Sequence, residues 1–168
     1  QSLSGGHLQA LRTIREVRDP AVPPYVQLAL ARSALLIDEG AEAQHWLQLY
    51  VSAFPDDESA WVDLARAHLL QGADGAALNA LRSALRLNPS RADGLVLLGH
   101  LRMRAGQEQL ALDTYLEALK LGADSVALAP LLEELIQKTG GGGSPEGSRH
   151  GLAIQALSVV GGSGGAGG

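Results

Sequence analysis

The sequence predicts an all-α fold in which similar pairs of antiparallel helices repeat along the chain. The first observation is that residues of one kind recur along the chain at a fixed step of 34. The recurring sets are Ala43, Ala77 and Ala111; Leu30, Leu64 and Leu98; Ala31, Ala65 and Gly99; Leu28, Val62 and Val96; and Pro55 and Pro89. The second observation is composition: 46% of the residues are hydrophobic but only 4% are aromatic, which suits helix packing better than a sheet. A period of this length is typical of a solenoid, an architecture that usually offers a binding surface.

The pattern of apolar residues predicts eight helices. A first amphipathic helix covers 7–18, with an apolar stripe formed by Leu8, Leu11, Ile14 and Val17, and Asp19-Pro20 ends it. Three pairs follow, at 24–37 and 41–53, 58–71 and 75–87, and 92–105 and 109–121. The breaks between the helices of a pair carry glycines that suit tight turns: Gly40, Gly72, Gly75 and Gly106. A last helix over 125–138 is expected to cap the stack, with its polar residues toward water: Glu133, Glu134, Gln137 and Lys138.

The composition changes abruptly after the last helix. Residues 140–151 are rich in glycine and are predicted to form a flexible linker, since they offer nothing to bury. Residues 152–160 are apolar again, and 161–168 form a second glycine-rich tail. The run Gly140 to Ser144 is typical of an engineered linker, which predicts a designed fusion; the alternative is a natural low-complexity tail. The pattern begins in mid-repeat at Gln1, so the chain is expected to be an excised fragment.

The repeating slots resemble those of the tetratricopeptide repeat family. The best match, 58–91, has Trp61, Leu64, Ala65, Ala77, Leu81, Ala84 and Pro89 at the signature positions. The repeat 92–125 departs from it at Ala123, where proline is expected, and 24–57 departs at Tyr50, which stands in a slot for a small residue. Helix 7–18 matches the second helix of a preceding repeat at a step of 33 rather than 34. The resemblance covers about 7–138 within a repeat domain of 1–139 and implies a right-handed superhelix of antiparallel helix pairs.

In that family the first helix of each pair lines a concave groove. Carried over by register, the resemblance implies a groove formed by Tyr25, Leu28, Arg32, Leu35, Val62, Arg66, Leu69, Val96, His100, Met103 and Arg104. Apolar residues dominate this set, and Arg32, Arg66 and His100 form a ladder of cations that could satisfy peptide carbonyls or a carboxylate. The alternative is that the arginines only pair with acids such as Asp63 or Asp93. The clamp by which some family members hold chaperone tails is missing, since it would need Lys and Asn in place of Leu28 and Arg32.

The apolar segment 152–160 is the candidate ligand of this groove, with Leu152, Ile154, Leu157 and Val159 or Val160 as anchors. If it binds as a helix, residues 152, 156, 159 and 160 share a face; an extended strand would give a poorer pattern. Tethering raises the effective concentration to about millimolar. The segment could also swap between molecules to give a dimer, or pack nowhere.

Charge and residue pattern argue against other functions. The net charge of -5 and the absence of basic runs exclude a general nucleic-acid binder. The five histidines lack metal-ligand spacing, and His68 falls in a packing slot. Asp56, Asp57 and Glu58 are expected to open a helix rather than to form a catalytic pair. No cofactor, no enzymatic activity and no insertion into a membrane are predicted, while the absence of cysteine leaves both the cytoplasm and the periplasm open.

These observations together predict a module that binds an apolar segment of a partner protein. Two alternatives remain open: a structural spacer within a longer scaffold, and a chaperone that shields a hydrophobic segment of a partner before assembly or export. The abundance of alanine, leucine and arginine is typical of bacterial proteins.

Overall fold

The computed structural model describes residues 22–139 together with Gly151. Seven α-helices and no strands occur in this part of the chain. They are α1 (Pro24–Leu36), α2 (Gly40–Ala53), α3 (Glu58–Leu70), α4 (Asp74–Leu87), α5 (Ala92–Arg104), α6 (Glu108–Lys120) and α7 (Ser125–Thr139). Each begins and ends within one residue of its predicted bounds, and the all-α prediction is confirmed. Helix 7–18 and the segments 140–150 and 152–168 lie outside the described residues.

The chain divides into two compact units after Pro89. In the first unit α1 packs against α2, α2 against α3, and α3 against α4. In the second unit α5 packs against α6 and α6 against α7. Within each unit the short connections between successive helices reverse the chain, so that neighbouring helices run antiparallel.

The small residues that recur in the repeats are buried, as their pattern predicts. Within the first unit, Ala31, Ala43, Ala65 and Ala77 are fully buried, and Trp46, Leu47 and Leu81 fill the space beside them. The core of the second unit is formed by Ala111, Leu112, Tyr115, Leu116, Leu128, Leu132 and Leu135. The predicted polar residues of α7 are exposed or half-buried. Helices that cannot bury their apolar faces alone therefore bury them against sequence neighbours.

Left-handed backbone ends the first helix of each pair at one register position. Asp38, Gly72 and Gly106 occupy the same position in successive repeats and have φ angles of 58°, 71° and 70°. Glycine adopts this conformation without strain, and aspartate tolerates it better than most residues. The predicted role of Gly72 and Gly106 in tight turns is confirmed, whereas Gly40 and Gly75 lie in the first turns of α2 and α4.

Asp57 caps the N-terminus of α3, which confirms the prediction that this acidic run opens a helix. Its Oδ1 accepts hydrogen bonds from the backbone N–H of Ser59 at 3.0 Å and of Ala60 at 3.2 Å, and its Oδ2 accepts one from the Tyr50 hydroxyl at 3.0 Å. Burial alone would raise the pKa of this carboxyl, but the hydrogen bonds from Ser59, Ala60 and Tyr50 outweigh it and lower the pKa. The capping carboxylate is therefore charged at neutral pH.

Replacing Asp57 by Ala is expected to lower the free energy of unfolding by about 1–2 kcal/mol, because two helix N–H groups lose their acceptor. Urea unfolding would measure the change, and Asp56→Ala is the matched control because Asp56 is exposed and does not cap the helix. Because the pKa of Asp57 is lower in the folded chain, its contribution is present above the unfolded pKa and disappears as the pH falls through the folded pKa. Equal losses for the two variants would contradict the capping role.

Candidate peptide-binding face

Four of the predicted groove residues lie along one stripe of α1. Tyr25, Leu28, Arg32 and Leu35 follow one another at helical spacing, so their side chains leave the helix on the same side. Tyr25 is 75% exposed, while Leu28 and Leu35 are half-buried. A stripe of this kind offers apolar surface to a ligand without any rearrangement of the helix.

A cavity of about 630 Å³ adjoins this stripe at the start of α1. Its walls come from the first turns of α1 and from the end of α2: Pro24, Tyr25, Leu28, Ala29, Arg32, Tyr50 and Phe54. The rings of Tyr50 and Phe54 stack with their centroids 5.0 Å apart. Burial and the hydrogen bond to Asp57 raise the pKa of the Tyr50 phenol, so it stays a neutral donor. The volume falls within the range of small-ligand and side-chain pockets.

Sequence reasoning did not include Tyr50 and Phe54 among the groove residues. A signal was present for Tyr50, because it replaces the small residue that Ala84 and Ala118 supply in the next two repeats. The Tyr50 ring at this slot forms part of the cavity wall. Phe54, one turn later, had no such signal.

Arg32 and Arg66 share one carboxylate. The Nε of Arg32 donates to Asp63 Oδ2 at 2.9 Å, and Nη1 of Arg66 donates to Asp63 Oδ1 at 3.3 Å. Nη2 of Arg32 also donates to the Ser59 hydroxyl at 2.9 Å. The arginine side chains are 48% and 45% exposed, whereas that of Asp63 is only 12% exposed. The cluster has two positive charges and one negative charge, and both guanidinium groups keep N–H donors that these three hydrogen bonds do not use.

Both arginines therefore pair with Asp63, as the alternative interpretation predicts. Asp93 accepts a hydrogen bond from Arg91, with 2.8 Å between Nε and Oδ1. Because Asp63 is largely buried, its ion pairs with the arginines are less screened by water than ordinary surface pairs. Asp63 therefore orients both guanidiniums.

Val62, a predicted groove residue, is only 1% exposed, so it offers almost no surface to a ligand in this structure. It occupies the same repeat slot as Leu28, which is half-buried and lines the cavity. The same register position is therefore half-buried in α1 and almost fully buried in α3. Leu69, two turns further along α3, is half-buried.

The predicted groove residues of the second unit serve its core in part. Val96 and Met103 are partly buried and pack against the cluster formed by α6 and α7. The His100 ring contacts the Tyr115 ring edge-on, with centroids 5.7 Å apart. Burial lowers the pKa of His100, so its imidazole is neutral at neutral pH and does not supply the third cation of the predicted ladder. Arg104 is exposed.

Two histidines make the stability of the chain sensitive to acid. Burial lowers the pKa of both His68 and His100 below the ordinary value of 6.5, and His68 is buried in the packing slot where it was predicted. The unfolded chain therefore takes up protons at a higher pH than the folded chain does. The free energy of unfolding should be constant between about pH 7.5 and 9 and should fall as the pH drops through about 6.5 toward the folded pKa values.

The double variant His68→Gln, His100→Gln is expected to lose much of this acid sensitivity. Urea unfolding at pH 8 and pH 5.5 would give the difference in free energy for the parent and for the variant. The value at pH 8 isolates any packing defect, because the imidazoles are neutral there in both states. An unchanged difference between the two pH values would contradict the assignment to these histidines.

Metal-binding clusters and membrane-spanning helices are both missing from the residues that the structure describes. No group of three or more His, Asp or Glu side chains there could hold a metal ion. None of the helices α1 to α7 is both long enough and apolar enough to span a bilayer. The predicted ligand anchors at 152–160 lie outside the described residues. Gly151, which the prediction assigns to the linker, has helical backbone and is half-buried.

Comparison with known proteins extends the fold assignment. No model of a known protein family matches the sequence, and no curated protein matches it. The crystal structure of MamA superposes with a TM-score of 0.72 at 19% sequence identity, covering 94% of this chain and 88% of that one. The structure of TTC0263, a thermophilic TPR protein of Thermus thermophilus, gives a TM-score of 0.66 at 21% identity and covers 92% of this chain and 81% of that one. The chain therefore has the fold of a tetratricopeptide repeat solenoid; at these identities the likeness concerns the fold alone.

Proposed function

We propose that this chain is a non-enzymatic protein-binding module that holds an apolar segment of a partner protein on the exposed stripe of α1. The observation that carries the proposal is the conjunction of this stripe with the cavity beside Tyr50 and with the shared Arg32–Asp63–Arg66 cluster. Apolar surface supplies affinity through the area it removes from water. The remaining guanidinium donors supply orientation, since they can donate hydrogen bonds to peptide carbonyls or to a carboxylate.

The stripe and the cavity have different roles in this proposal. Tyr25 is an exposed aromatic anchor, of the kind that carries much of the binding energy in protein interfaces. Leu28 forms the floor where a partner's aliphatic side chain would enter the cavity. Arg32 lines the same cavity, so a side chain placed there brings its own backbone within reach of the cation.

The segment 152–160 is the proposed ligand within this chain. Its anchors are Leu152, Ile154, Leu157 and Val159 or Val160, and the helical backbone of Gly151 favours a helical approach. The linker 140–151 would span at most about 40 Å when extended. A tether of this length raises the effective concentration to about millimolar, so that even a weak ligand would be held. The same segment could reach the stripe of a second molecule and give a swapped dimer.

Backbone NMR relaxation on the full chain tests this proposal. In the parent chain the amides of 150–160 are expected to be as rigid as those of α1, and Leu28→Asp on the stripe is expected to make them mobile while the helices remain intact. Leu110→Asp in α6 is the control, because Leu110 is a large and exposed apolar residue outside the stripe. Amides of 150–160 that are already mobile in the parent chain would refute the tail as ligand and favour the spacer.

Scrambling the sequence of 152–160 and repeating the NMR measurement distinguishes the proposed module from a chaperone for export or assembly partners. Such a protein shields many apolar segments with little preference for sequence, so scrambling 152–160 would leave the tail rigid. The proposed module requires a matching side chain in the cavity, and scrambling should release the tail.

A further inference from the structure

One face of α1 is uncovered although it has the spacing of a packing face. Val26, Ala29, Ser33 and Leu36 lie along a single stripe of the helix, beside the stripe proposed for binding. Ala29 is exposed, Val26 and Ser33 are half-buried, and Leu36 is 75% exposed. A leucine exposed to this degree is unusual on a face that carries no function of its own.

The same face of α3 is covered. The residues one repeat later are Ala60, Asp63, Ala67 and Leu70; the first three are buried and Leu70 is 42% exposed. Helix α2 covers this face closely, since a Cβ placed on Gly40 would lie 2.9 Å from the carbonyl oxygen of Ala67 and 2.9 Å from Cβ of Leu70. Nε2 of Gln71 donates to the Gly40 carbonyl oxygen at 3.2 Å. On α3 this face is therefore covered by the helix that precedes it in the chain.

We propose that residues 7–18 form a helix that docks on the Val26–Leu36 face of α1, as α2 docks on α3. The short connection between 7–18 and α1 supports docking of this segment on the neighbouring helix. Only residues 19–23 separate the segment from α1, and this connection is close in length to 54–57 and 88–91, which join α2 to α3 and α4 to α5. Nε2 of Gln27 donates to the Val22 carbonyl oxygen at 2.8 Å and holds this connection against α1.

The segment also has the chemistry that the face requires. Leu8, Leu11, Ile14 and Val17 form an apolar stripe that a lone helix cannot bury. Ala10 and Ile14 align with Ala43 and Leu47 at a step of 33. This inference concerns a different stripe of α1 from the one beside the cavity and does not depend on the proposed peptide binding, although Ala29 borders both surfaces.

Hydrogen exchange on the full chain is the first test. The amides of 8–17 should exchange at least roughly tenfold more slowly than those of an unstructured peptide, and Leu36→Asp should remove most of this protection. Val126→Asp is the control, because Val126 in α7 is 67% exposed and should leave the amides of 8–17 protected. Amides of 8–17 that exchange freely in the parent chain, or that stay protected in Leu36→Asp, would overturn the proposal.

A designed disulfide tests the register and the occupant together, since the chain has no cysteine of its own. Gly40 of α2 packs against Leu70 of α3. Ala43 and Ala10 are related by a step of 33, and the same step leads from Gly40 to His7; one full repeat leads from Leu70 to Leu36. If 7–18 docks as α2 does, His7 and Leu36 should approach to disulfide distance. The double variant His7→Cys, Leu36→Cys is expected to oxidise to a monomer with an internal bond. Gln9→Cys, Leu36→Cys should not, because residue 9 points to another side of the helix. Bonds formed only between chains would assign the face to a second copy and overturn docking within the chain.

Discussion

Replacing Gly99 by Ala is expected to lower the free energy of unfolding by about 1–3 kcal/mol, although alanine is the better helix former. A Cβ at this position would lie 2.3 Å from Cε1 and 2.7 Å from Cδ1 of the Tyr115 ring. Carbon atoms in contact normally lie about 3.5–4 Å apart. The ring is fully buried in the core of the second unit, so it cannot swing away into solvent. Overpacking should therefore exceed the gain in helix propensity of about 1 kcal/mol.

The repeats themselves provide the rescue and the control. One repeat earlier, the slots of Gly99 and Tyr115 hold Ala65 and Leu81, both fully buried. The double variant Gly99→Ala, Tyr115→Leu installs that pair and is expected to recover much of the loss. Gly75→Ala in α4 should be neutral or stabilising, because no atom lies within 4 Å of a Cβ at that position. Urea unfolding compares all the variants, and a Gly99→Ala chain as stable as the parent would refute the steric argument.

Replacing Leu28 by Asp is expected to weaken binding of the apolar peptide by about tenfold to a hundredfold. The reason is that full burial of a leucine side chain contributes about 1.5–3 kcal/mol, and about 1.4 kcal/mol corresponds to a factor of ten in affinity. Leu28 lines the cavity beside Tyr25 and Arg32, so an aspartate there would place a charge where the partner's aliphatic side chain must enter. It would also compete with the ligand for the Arg32 guanidinium.

This measurement needs an empty binding face. Serines at positions 152, 154, 157, 159 and 160 of the full chain would remove the tethered anchors, and a fluorescent peptide of the sequence 150–160 could then be titrated by polarisation. The matched control is Val126→Asp, which adds the same charge at an exposed apolar residue of α7. Equal affinities for the two variants would place the peptide elsewhere, while loss of binding only with Leu28→Asp would support the cavity as the anchoring site.

Two repeat positions, that of Leu28 and Val62 and that of Arg32, Arg66 and His100, show which properties of the site the sequence predicts and which it does not. Tyr25, Leu28 and Arg32 lie on one exposed stripe beside a cavity, as their register predicts. Val62 holds the slot of Leu28 one repeat later and is buried, and His100 holds the slot of the arginines but is neutral at neutral pH. Register specifies the direction of a side chain relative to its own helix. Exposure and charge depend in addition on what packs over that helix, which the repeat pattern does not encode.

The sequence by itself determined the helices, their order and the slots where helices approach closely. Helical periodicity, turn glycines and small residues are local signals, and their repetition along the chain reinforces each one. Only the tertiary structure decided that Asp63 orients both arginines, that Tyr50 and Phe54 wall a cavity and that Leu36 of α1 is largely exposed. These features join residues of different helices, and the free energy of each depends on distances that exist only after the helices pack.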